Sequence, residues 1–98
     1  MAAVVAHEFG HAATDAVATK LGYSGLNKLD RAANVICEEA RKQTRHRGVV
    51  KMAAKISGYA TTSNAEAVAE AFCDVYCNGK KAKKESRAIV NIANSYLK

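Results

Sequence analysis

The sequence predicts an all-α domain of four to five helices. Three observations carry this. Proline is absent and glycine occurs only six times in 98 residues. Alanine is spread along the whole chain, and it is the strongest helix former. Apolar residues recur at intervals of three and four, the period of a helix with one buried face. A chain of this length makes one domain with one modest core.

The first helix is expected over about residues 2 to 20, stopping near Gly22 ahead of the turn-like "GYSGLN". The second runs from about Lys28 to Arg45, with Leu29, Ala32, Ala33, Ile36 and Ala40 at helical spacing, and ends before Gly48. A short helix, "VVKMAAKIS", follows. "GYATTSN" then forms a connection to a helix from Asn64 to Cys77, closed by "NG" as an Asn/Gly stop. The last helix covers about residues 83 to 97, with Ile89, Ile92, Ala93 and Tyr96 as its buried stripe.

Composition limits the setting. "MAAVVA" is too short to span a bilayer and lacks the basic flank of a signal peptide, and no later run is long and apolar enough for a membrane helix. The reading is a cytoplasmic protein. Cys37, Cys73 and Cys77 are an odd number without a secretion signal, so reduced thiols are expected rather than a disulfide framework. Small buried residues on a packing face account for Cys73 and Cys77. The net charge of +6 is concentrated in "RKQTRHRGVVKMAAK" and "KKAKKESR". Neither run holds an aromatic residue for base stacking, so both read as solvated surface and the reading is against nucleic acid as a partner.

The chemistry is concentrated in "HEFGH". On a helix, His7 and His11 are four residues apart and project from the same face, the separation that two imidazoles need to share one tetrahedral zinc ion. Glu8 is offset around the helix, where its carboxylate can take a proton from a metal-activated water without itself being a ligand. Gly10, Ala6, Ala12 and Ala13 are small neighbours that leave room for a second helix to approach. Two histidines and a water leave one position for a third protein ligand. His46 lies among four positive charges that repel a dication and is discounted. On the helix after Tyr59, residues Glu66, Glu70, Cys73 and Cys77 form one stripe, and its two acids call for a cation or hydrogen-bond donors. "SNAE" also has the form of a capping box, in which Ser63 caps the helix and the Glu66 carboxylate returns to the Ser63 amide. Both uses of Glu66 stay open on local pattern alone.

"HEFGHAATDA" followed by "SGYATTSNAEAVAEAF" resembles the catalytic core of zinc metalloproteases of the anthrax lethal factor type, a gluzincin-like group, with similar segments in phage head-morphogenesis and minor-head proteins. The two blocks cover about a quarter of the chain. The resemblance implies zinc held by His7, His11 and Glu66, Glu8 as general base, and Tyr59 assisting at the oxyanion or leaving group. It makes Glu70 an outer partner that orients a ligand histidine, and Asp15 matches a further acidic position without an assigned role. Only six residues precede His7, so the sheet on which such proteases pair a peptide substrate is absent from this chain. Such a chain is either a piece of a larger protein or a minimal helical core.

Three functions from different classes follow. The first is a zinc-dependent metallopeptidase-like domain, phage or prophage derived, acting on protein or peptide. The second is a zinc-stabilised structural module of a phage morphogenesis protein, contacting phage head proteins. The third is a basic helical module for nucleic acid, with "HEFGH" incidental.

Overall fold

A computed structural model describes residues 3–98. The expected all-α architecture is what it contains: α1 (Ala3–Lys20), α2 (Lys28–Gln43), α3 (Val49–Ile56), α4 (Asn64–Asn78) and α5 (Lys84–Tyr96), with single 3-10 turns at Tyr59–Thr61 and Gly79–Lys81. No strand occurs among the described residues. Residue 2, where the first helix is expected to begin, lies outside them.

The helix ends follow local chemistry. Gly22, at φ 79°, takes the left-handed conformation that ends α1, and the Tyr23 amide reaches back to the Ala18 carbonyl at 2.9 Å, as in a Schellman cap. α2 stops two residues short of the expected Arg45. Arg45 itself adopts φ 60° where glycine is usual, and the His46 amide closes on the Arg41 carbonyl at 3.1 Å. The Arg41 guanidinium donates to the His46 carbonyl at 3.1 Å. These contacts hold a non-glycine residue in a conformation that costs about 1–2 kcal/mol, and they are invisible to a search for Gly or Pro. α4 begins at Ser63, whose hydroxyl accepts from the Glu66 amide at 3.1 Å, and ends at Gly79, φ 55°.

α4 is the central element and touches each of the other four helices. Phe72 and Val68 from α4, Ile36 from α2, Met52 from α3, Ile89 from α5 and Val17 from α1 form the fully buried core, with alanines filling the gaps. Tyr96, expected in a buried stripe, is only half-buried, as is Leu29 of the helical-period set on α2; the Tyr96 hydroxyl donates to Glu39 at the surface. Cys37 is buried. Burial, with a smaller contribution from Glu38, pushes its thiol up to about 12, which leaves it unreactive at neutral pH. Cys77 is exposed and Cys73 half-buried. The packing role expected for this pair therefore fails for Cys77, which is exposed one residue before the end of α4. No described helix is long and apolar enough to cross a membrane.

The tightest crossing is between α1 and α4. A Cβ placed on Gly10 would lie 2.7 Å from the Ala69 Cα and 3.2 Å from the Phe72 Cβ. Of the small residues expected to leave room for a second helix, Ala6, Gly10 and Ala13 are buried, whereas Ala12 is exposed. Gly10→Ala should therefore destabilise the protein despite the better helix former: about 1 kcal/mol of gained propensity is set against about 1–3 kcal/mol of overpacking. A net loss near 1 kcal/mol corresponds to a melting temperature lower by about 4–8 °C. Thermal denaturation checks this, and a melting temperature that rises would show that the two helices separate freely.

Candidate metal centre

His7 and His11 lie one turn apart on α1, and their ring centroids are 4.9 Å apart. The close approach at Gly10 brings the first turns of α4 over this face, so the helices run antiparallel: His11 meets Glu66, while His7 meets both Glu66 and Glu70. The His7 Nε2 is 2.8 Å from Glu66 Oε2, and the His11 Nε2 is 3.3 Å from Glu66 Oε1. One donor atom from each of His7, His11 and Glu66 falls within a set no wider than 4.8 Å. Two ligands each ~2.0–2.1 Å from a tetrahedral ion stand ~3.3 Å apart, so this donor set could hold a metal ion once side-chain shifts close its widest separation by up to about 1.5 Å.

Glu66 had two expected uses, and its backbone and side chain divide them. Its amide takes the Ser63 cap, while both carboxylate oxygens turn to the histidines, 59 residues away for His7. The half of the capping box that needs the Glu66 carboxylate is thus replaced by a tertiary contact. His7, His11 and Glu66 are each about a quarter exposed, which leaves an ion here open to solvent on one side.

Glu70 sits 3.8 Å from the same His7 Nε2 that faces Glu66. It therefore adds negative charge beside the ligand nitrogen instead of meeting the far side of the ring. Its other oxygen accepts from the Ser57 hydroxyl at 2.9 Å. Ser57 also accepts from the Ala60 amide at 3.0 Å, so one hydroxyl links Glu70 to the 3-10 turn that carries Tyr59. The Tyr59 ring is 55% exposed and stands parallel to His7, with centroids 6.3 Å apart and 5° between planes. Sequence reasoning missed Ser57. The available signal was a serine three residues before the Ala60 amide in "SGYA", the spacing of a serine-capped turn.

Glu8 follows His7 on α1 and is exposed. Asp15 is one turn beyond His11 and pairs with Lys28 at 3.0 Å, so it joins α1 to α2 rather than entering the cluster. His46, discounted as a ligand, meets Glu85 at 2.8 Å. Burial opposes ionisation of Glu85, but the hydrogen bond to His46, a backbone hydrogen bond and the neighbouring charges of His46 and Lys84 together hold this carboxyl below its usual range. Cys73 borders the same largely apolar recess as Ala3, Val4, His7 and Glu70. Compared with known protein families, curated proteins and solved structures, the chain matches none.

Proposed function

We propose that the chain is a zinc-dependent metallopeptidase-like domain that hydrolyses peptide bonds, with His7, His11 and Glu66 as the ligands. The observation that carries this reading is the Glu66 carboxylate, which leaves its own helix cap to lie between the two imidazole nitrogens. Nitrogen and carboxylate donors at this spacing suit zinc. Zinc held there supplies a Lewis acid that makes water a nucleophile near neutral pH.

The remaining steps belong to the chain. Glu8, beside the ligands and free of the packed α1–α4 contact, takes the proton of the attacking water and returns it to the leaving amine. Tyr59 presents its phenol from a turn that Ser57 anchors, to donate a hydrogen bond to the developing oxyanion. Glu70 holds that turn through Ser57 and keeps the surroundings of His7 negative. The apolar recess beside His7 offers a place for one substrate side chain.

The test is zinc titration of the intact protein, followed by assay on an unstructured protein substrate. At zinc near 100 times its dissociation constant, binding to the folded state alone stabilises by about 2.7 kcal/mol. The melting temperature should then rise by roughly 10–20 °C and fall back on chelation. Absence of uptake would overturn the reading; uptake without hydrolysis would favour a zinc module that only joins α1 to α4.

Tyr59→Phe removes the hydroxyl alone. With the ring half in solvent, zinc affinity and melting temperature should stay as they are while turnover falls by about 10²–10³, the scale of one lost oxyanion donor. Unchanged turnover would return Tyr59 to packing against His7.

A further inference from the structure

The two basic runs are separated by 24 residues in sequence, and the fold joins them. Residues 41–55 and 80–87 together hold eleven of the fifteen Lys and Arg residues but one of the nine acids, Glu85. Two contacts bring the runs side by side. His46, in the α2–α3 loop, meets Glu85 in the first turn of α5 at 2.8 Å. The Lys83 ammonium donates to the Ile56 carbonyl at the end of α3 at 3.1 Å. The single acid of the two runs is therefore buried and spent on His46.

Two acids from elsewhere reach the runs, Glu38 on Arg41 at 3.2 Å and Asp74 on the Lys83 amide at 2.9 Å, and the cations beyond them are unneutralised. Among the described residues, none of Lys42, Arg45, Arg47, Lys51, Lys80 and Lys81 forms an ion pair with an acidic side chain, and all six are exposed. The rest of the chain holds four cations and eight acids, and Glu8, Glu66 and Glu70 at the metal cluster are among the latter. Gathering unneutralised like charges on one face costs stability through self-repulsion, so a face built this way suits a polyanion that supplies the missing counter-charge.

We infer that this joined basic face binds the phosphate backbone of double-stranded nucleic acid. The lack of aromatic residues in either run excludes the stacking on which single-strand binders depend, but backbone contacts to a duplex need only cations and hydrogen-bond donors. A membrane surface is disfavoured by the same composition, since interfacial segments set Trp, Phe or Leu among their basic residues and these runs hold none. A duplex carries one charge per ~1.7 Å of axis, and the protein extends 34 × 32 × 25 Å. Six phosphates take up about 10 Å of that axis, well within the length of the protein. Recognition is by charge and spacing, without base readout, and it is independent of the zinc reading.

The experiment measures binding of the intact protein to a 20-base-pair DNA duplex of arbitrary sequence, by fluorescence anisotropy, across a salt series. Neutralising about six phosphates should weaken binding ~10³-fold between 50 and 200 mM salt. Lys80→Gln/Lys81→Gln and Arg45→Gln/Arg47→Gln should each lower the salt slope by about 2, because the fold makes the two runs one footprint. Both are surface changes, and circular dichroism checks that each variant stays folded. A slope near zero, or a loss confined to one of the two variants, overturns the inference. So does tighter binding, at the same ionic strength, to a single strand of equal length, to polyglutamate or to phosphatidylserine vesicles.

Discussion

Replacing His7 or His11 with alanine is expected to weaken zinc binding by more than about 10²-fold. Loss of an outer partner that only orients a ligand already costs ~10–100-fold, and here a ligand itself disappears from a set of three. The fold should survive the change. His7 and His11 are about a quarter exposed, and the hydrogen bond lost with His7 is worth no more than about 1 kcal/mol in a partly solvated position. Glu66→Gln is the companion variant. It preserves the helix cap, which uses the Glu66 amide and the Ser63 hydroxyl, and removes only the anionic oxygens. His46→Ala supplies the control: it breaks a contact with buried Glu85 and should lower the melting temperature while zinc affinity stays unchanged. Calorimetric titration of the four variants checks the set. Affinities within tenfold of the parent for His7→Ala and His11→Ala would show that the ion is held elsewhere.

Glu8→Gln is expected to abolish measurable hydrolysis, a loss of more than about 10²-fold, the scale of general-base catalysis. The amide has the shape of the carboxylate but no basic oxygen. Because Glu8 faces solvent, stability should change by less than about 0.5 kcal/mol, and zinc affinity should stay within about twofold. Kinetic assay and zinc titration on one preparation separate the two roles. Zinc lost together with turnover would make Glu8 a ligand; turnover retained with zinc would leave the proton transfer to another group.

Much of the site was legible in a short stretch of chain. The helical period alone puts His7 and His11 on one face, and "SNAE" alone marks where α4 starts. Gly10 could be read as the point of close approach because only a small residue there lets another backbone come near, and its missing Cβ is what Ala69 abuts. Other features resisted local reading. Arg45 ends α2 in a left-handed conformation secured by the Arg41 side chain, against its own preference. Ser57 acquires its importance from Glu70, 13 residues later. Asp15, acidic and one turn from His11, could have pointed to the cluster and instead holds Lys28.

The chain by itself determined the helices, because helix formation rests on interactions within four residues: alanine propensity, serine and glycine at the ends, and an apolar stripe of fixed period. It also determined which residue types were on hand for metal chemistry. The tertiary structure decided how they were used. Whether the Glu66 carboxylate returns to its own helix end or crosses to His7 is a choice between two hydrogen-bonding sites of similar local merit. The α1–α4 approach at Gly10 settles it by bringing two imidazole nitrogens within 2.8 and 3.3 Å. The same holds for the basic runs, harmless as separate solvated segments and joined where His46 closes on Glu85 and Lys83 on the Ile56 carbonyl. Charge and contact act through space at a few ångströms, and sequence separation carries no information about that distance until the helices have packed.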